Sequence, residues 1–188
     1  MDCIQCNTKK CRTTEPCHAQ KFDAKELIHS YHLPENMKII QSAAQLVDNG
    51  RAGTLSRLQE VIEFSKSMNF RRIGIAYCYG MEIDSALIAT IFRESGFKVY
   101  PVSCTTGGLK QSEINTGSTI EKVTCNPLAQ AEQLNSESVD FTITIGLCLG
   151  HDILFNKHIK SYTSTLIVKD RVHDHKPIDA LSKATELN

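Results

Sequence analysis

The chain lacks an excess of either charge. Its 188 residues carry 21 Lys and Arg against 21 Asp and Glu, so the balance gives no reason to bind nucleic acid or an anionic membrane. It lacks any apolar run near the roughly 20 residues of a membrane span. The opening MDCIQCNTKK lacks the apolar core of a signal peptide. No aromatic residue precedes Phe22, which removes the stacking surface a nucleic-acid-binding knuckle would use. Internal repeats and low-complexity tracts are absent too. The expectation is a cytoplasmic protein with neither membrane nor nucleic-acid partner.

Cysteine, by contrast, is abundant. Eight are present, and none falls between residues 18 and 77. In a reducing compartment clustered thiols point to metal ligands or redox groups; an extracellular disulfide protein is the alternative. The gap separates Cys3, Cys6, Cys11 and Cys17 from Cys78, Cys104, Cys125 and Cys148, which suggests two sites. It also suggests a division into a cysteine-rich metal-binding segment, 1–20, and an α/β domain, 21–188.

The spacing C-x2-C-x4-C-x5-C in the first group is short enough for all four thiols to reach one ion, and His18 could replace one of them. Zinc and an iron–sulfur cluster both suit it. The run departs from the bacterial ferredoxin spacing.

Beyond residue 33 the chain reads as alternating elements. Helices are expected over 34–48 and over 54–69, the second capped by Thr54. RIGIAYC, KVYPVSC, FTITIGLC and TSTLIVKD are strand candidates, and Pro101 consigns the second to an edge or a bulge. Helices follow over 81–96 and 127–135, with a short one over 152–158. Alternation of this kind predicts a three-layer α/β fold with a mainly parallel sheet of about four strands.

In such a sheet Cys78, Cys104 and Cys148 fall at the carboxyl ends of strands, and Cys125 opens the helix that follows a strand-end loop. Those ends share the edge where such folds bind ligands. Thiolates suit zinc or an iron–sulfur cluster, and wide separation in sequence suits a 4Fe–4S cubane. Were three to bind, one iron would stay open to a small-molecule substrate. Each cysteine taken alone could equally be a small buried hydrophobe. His151 and Asp152 follow Cys148 as an acid/base or orienting pair, or as a backbone-bonding residue and a helix cap. Lys169 stands in the charged run KDRVHDHKP with Asp170, Arg171, His173 and His175, where it or Arg171 could meet an anionic group.

The N-terminal cysteines, RLQEVIEFSKSMNFRRIGIAYCYG, SCTTGG, CNPLAQAEQLN, GLCLGHDILF and TLIVKDRV together resemble the domain of unknown function 1847 family, described as predicted metal-binding proteins. Thr105 stands where that family's pattern has a lysine, and Lys176 where it has an asparagine. The resemblance implies metal binding. A looser likeness is to thiouracil desulfidases, in which three cysteines hold a 4Fe–4S cluster whose free iron takes sulfur from a thiolated substrate. A non-catalytic zinc or iron module and a thiol–disulfide enzyme are the other readings. The latter is disfavoured because the one C-x-x-C, Cys3 to Cys6, lies in a tail.

Overall fold

The computed structural model describes residues 2–13, 15–17 and 19–181. His18, named above as a possible ligand, lies outside them. The chain divides into two compact units, Met1–Gln45 and Leu46–Asn188. The first holds a 3-10 turn at Lys10–Thr13, helix α1 (Leu27–Tyr31) and most of α2 (Pro34–Val47).

The second unit is built on its two most apolar strands. β1 (Arg72–Tyr77) is buried at every interior position, and β3 (Phe141–Ile145) along its whole length. A strand covered on both faces belongs in the middle of a parallel sheet. Among the described residues the sheet is four-stranded, in the order β2-β1-β3-β4, with β2 at Lys98–Ser103 and β4 at Tyr162–Ile167. All pairs are parallel, with Ile73 opposite both Val99 and Phe141. Pro101 sits in edge strand β2, where its missing N–H breaks no ladder.

Connection handedness sets the layers. α4 (Glu82–Glu94) carries the chain from β1 outward to β2; α6 (Pro127–Ser136) brings it back past β1 to β3; α7 (Leu149–His158) continues to β4. Right-handed crossovers running in opposite directions put α4 on one face and α6 and α7 on the other. The result is the expected three-layer α/β arrangement. Phe155 of α7 and Leu134 and Ala131 of α6 share a buried cluster with Ala76, Val102, Val139 and Leu147.

β3 stops at Ile145, short of the FTITIGLC candidate, and β4 ends at Ile167, short of TSTLIVKD. Two helix starts also differ from the sequence expectations. α3 (Arg57–Ser67) is capped by Ser56: its side chain accepts from the Gln59 amide, and Gln59 reaches back to the Ser56 amide. That reciprocal pair outcompetes Thr54, whose hydroxyl instead donates to the Arg51 carbonyl at 2.7 Å. α7 starts at Leu149, with Cys148 in the cap position, so Asp152 lies inside the helix and does not cap it. Between β2 and α6 the chain forms a short helix, α5 (Gln111–Ile114), and an antiparallel bridge from Lys110 to Val123. Among the described residues no helix is long and apolar enough to cross a membrane.

Gly74 lets α6 approach β1. A Cβ there would lie 2.7 Å from Thr142 Oγ1, 3.1 Å from Leu134 Cδ2 and 3.2 Å from Val139 Cγ2. Gly74→Ala is therefore expected to destabilise the fold by about 1–3 kcal/mol through overpacking. Urea unfolding measures this, and a wild-type midpoint would show that the sheet has slack here.

Candidate thiolate centre at the sheet edge

The chain leaves β1 in one direction and later returns past it to β3, so strand order reverses between β1 and β3. Ligands of open α/β sheets bind at the carboxyl ends beside such a reversal. Cys78 follows β1 directly, Cys104 follows β2, and Cys148 lies three residues past β3. The ladder continues into these residues: the Cys78 amide donates to the Ile145 carbonyl at 3.0 Å and the Cys104 amide to that of Tyr77 at 2.9 Å. Cys125 is brought in by its neighbour, since the Asn126 amide donates to the Cys104 carbonyl at 2.6 Å. Gly146, at φ +59°, turns the chain between β3 and Cys148; a Cβ there would sit 2.7 Å from Met81 Cγ.

Three thiols form a row. Cys125 Sγ donates to Cys104 Sγ at 3.3 Å, and Cys78 lies near enough to Cys104 for each sulfur to affect the other's acidity. The Tyr79 amide donates to Cys104 Sγ at 3.4 Å. Cys148 takes a hydrogen bond from the Arg171 guanidinium at 3.3 Å. Lys169 Nζ donates to Cys78 Sγ at 3.1 Å. Cys78 and Cys104 are buried, Cys125 and Cys148 half-buried.

The row is electrostatically uneven. Burial pushes the Cys78 thiol up, but the Lys169 ammonium and the Gly80 amide more than offset it and hold Cys78 below the usual thiol range. Burial pushes Cys104 up to about 12, against the Tyr79 amide and with the help of the neighbouring Cys125 and Cys78 sulfurs. Cys78 is thus the more acidic of two neighbouring thiols. The Cys148 sulfur pushes the Arg171 guanidinium further up.

Of the acid/base candidates, Asp152 and Lys169 line one cavity of about 90 Å³ together with Thr144 and Thr165. Burial raises the Asp152 carboxyl, against the hydrogen bond from Asn156. His151 sits half-buried on the first turn of α7. Among the described residues, the charged side chains hydrogen-bonded to these thiols are Lys169 and Arg171.

Two residues of the site were not anticipated. Asn126 caps α6, its side chain accepting from the Ala129 amide at 3.0 Å; an asparagine directly before Pro127 is a helix-start signal. Gln130, fully buried, donates to the carbonyls of Tyr77 at 3.1 Å and Val102 at 2.7 Å. It ties together the strand ends that carry Cys78 and Cys104. No sequence signal distinguishes it from a surface glutamine.

In the first unit Cys6, Cys11 and Cys17 line a cavity of about 120 Å³ with Lys10, while Cys3 is exposed and does not line it. The Lys9 amide, then the Thr8 hydroxyl and amide, lower the Cys6 thiol to about 7.

Among the described residues no group of three or more His, Cys, Asp or Glu side chains is placed so that it could hold a metal ion. The Cys104–Cys125 separation of 3.3 Å is shorter than the ~3.8 Å that two thiolates take on a tetrahedral zinc with 2.3 Å bonds. The sulfurs are turned onto one another and onto cations. In kind the donor set fits a thiophilic metal or cluster: it is all sulfur, gathered at one edge, with two cations to offset thiolate charge.

A family model described as "Protein of unknown function (DUF1847)" matches residues 15–166. The match includes Cys17 and all the sheet-edge cysteines and stops short of Lys169. An uncharacterised protein of Methanocaldococcus jannaschii is 40% identical over 186 residues, covering 96% of this chain and 93% of its own length. No solved structure matches the chain. With a relative this similar and a family model spanning most of the sequence, the chain belongs to the DUF1847 family.

Proposed function

We propose that the sheet-edge thiols hold an iron–sulfur centre that serves an enzyme removing sulfur from a small thiolated molecule. The observation that carries this reading is the gathering of Cys78, Cys104 and Cys125, with Cys148 bonded to Arg171 instead of to a thiol. The three in the row would hold the cluster. Cys148 would be the replaceable one, next to the position left open. A cluster with one open iron would supply a Lewis-acidic acceptor for sulfide.

The chain's own groups fill the remaining roles. Net desulfuration balances as hydrolysis: oxygen from water replaces sulfur on carbon, hydrogen sulfide leaves, and no net electron is gained or lost. Asp152, its carboxyl raised by burial, would move the proton at its carboxylate oxygens. Lys169 shares that cavity and would steady negative charge there, and Arg171 would orient an anionic substrate group. His151 would assist from the α7 turn. Tyr79 and Leu149, next in sequence to Cys78 and Cys148, are 63% and 81% exposed and would give the substrate an apolar rim. In a reducing cytoplasm, where we place the protein, the eight cysteines would stay available to metal.

A second reading is a non-catalytic zinc or iron module. It is favoured by Cys6, Cys11 and Cys17 sharing one cavity, where zinc or a second cluster would sit once the exposed Cys3 turned in as a fourth ligand. Protein purified without oxygen distinguishes the two. Iron, acid-labile sulfide and broad visible absorption are expected. Colourless protein holding zinc and no sulfide would overturn the cluster reading in favour of the second.

A further inference from the structure

Lys169 and Arg171 hydrogen-bond thiols that end different strands: Cys78 after β1 and Cys148 after β3. Asp170 stands between them and bonds the other way, into its own turn. Its Oδ1 accepts from the amides of Val172 at 2.9 Å and His173 at 3.0 Å. Its Oδ2 meets His173 Nδ1 at 3.1 Å, with both side chains largely buried, 14% exposed for His173 and 16% for Asp170. Its own amide donates to His175 Nδ1 at 3.1 Å, and its carbonyl accepts from the His175 amide at 2.8 Å.

Those bonds close residues 170–175 into a ring of contacts centred on one side chain. Asp174 and His175 adopt positive φ, 49° and 62°, a region that non-glycine residues occupy only when their surroundings hold them there. The two histidines have opposite tasks. His175 Nδ1 accepts the Asp170 amide, whereas His173 Nδ1 faces the Asp170 carboxylate. The backbone bonds from His173 and Val172 hold the Asp170 carboxyl below the usual carboxylate range, which keeps it an acceptor.

We propose that Asp170 is a positioning residue of the thiol site: its turn sets Lys169 on Cys78 and Arg171 on Cys148 at once. Asp170 is not itself bonded to either sulfur. The inference rests on those two cation–thiol pairs and is independent of which metal the thiols hold.

Alkylation of the full-length, reduced chain, stripped of metal by chelation, tests it at one fixed pH. Iodoacetamide labelling is followed on the separate Cys78 and Cys148 peptides by mass spectrometry. Cys78 is faced by Lys169, the Cys104 thiol and, at longer range, Arg171. A cation beside a sulfur favours the reactive thiolate, and losing about one pH unit of that help slows attack roughly threefold after the compensating gain in nucleophilicity. Lys169→Met should slow Cys78, and Arg171→Met should slow chiefly Cys148. Asp170→Asn, which keeps the shape and removes the charge, should slow both.

Simple loosening would expose the sulfurs and speed both, so the sign separates positioning from general disorder. Wild-type or accelerated rates at both cysteines in Asp170→Asn, with circular dichroism unchanged, would overturn the proposal. So would an unchanged Cys78 rate in Lys169→Met. If Asp170→Asn unfolds, Asp170→Glu decides by the same two rates: wild-type values with this longer carboxylate support the proposal, and accelerated values overturn it. The assay is done without metal, so a failed cluster reading leaves its outcome untouched.

Discussion

Cys104→Ala is expected to abolish metal loading at the sheet edge, while Cys148→Ala retains it. Cys104 is the thiol that links the others: it meets Cys125 at 3.3 Å, takes the Tyr79 amide at 3.4 Å and interacts electrostatically with Cys78. It is buried, 2% exposed, which gives an outside ligand little access to the place its sulfur would leave. Two thiols would remain in the row, too few for a cluster or a closed zinc site. Cys148 is paired with a guanidinium instead of a thiol, so its loss removes no member of the row. The measurement is metal and sulfide per chain in a background with Cys3, Cys6, Cys11 and Cys17 replaced by serine, which silences the other group. Full loading of Cys104→Ala in that background would refute a sheet-edge centre. Equal loss in Cys148→Ala would mean four ligands, no open iron and no catalytic version of the proposal.

The strands were legible because burial on both faces leaves a plain signature. The interior of β1 and all of β3 are apolar or threonine, and Pro101 narrowed β2 to an edge strand or a bulge. Alternation with helices then forced a parallel sheet, and the sheet put the cysteines at one edge. Less legible was what depends on competition between neighbours. Ser56 and Thr54 are both plausible caps, and only the reach of Gln59 decides between them. The start of α7 was hidden because Leu149 and Ile153, 81% and 56% exposed, do not mark a buried stripe. Pairing inside the site was out of reach for a different reason. Lys169 lies 91 residues from Cys78 and Arg171 lies 23 from Cys148. Spacing along a chain says nothing about which cation meets which sulfur once loops of that length close.

Phe155→Ala is expected to cost about 3–5 kcal/mol of folding stability, and its effect should be uneven across the site. Phe155 is fully buried, in the cluster with Ala76, Val102, Ala131, Leu134, Val139 and Leu147, flanked by Tyr100 and Ile159. It is the one residue of α7 that is buried, so the helix carrying Cys148 at its cap loses its anchor. Cys104 and Cys125 are held by other means: the Asn126 amide on the Cys104 carbonyl, and Gln130 on the carbonyls of Tyr77 and Val102. α6 keeps a hold on the far end of α7 through Asn135, whose side chain bonds the His158 carbonyl at 3.0 Å and the Lys160 amide at 2.9 Å. Freedom should therefore appear at the Cys148 end. Denaturant unfolding reports the loss of stability, and hydrogen exchange by mass spectrometry reports where it falls. Phe155→Leu, which fills most of the space, should recover most of the stability and the protection of residues 148–155. If exchange instead rises equally around Cys104 and Cys125, the two halves of the thiol site share one anchor, and Cys148 could not be exchanged for alanine without disturbing the row.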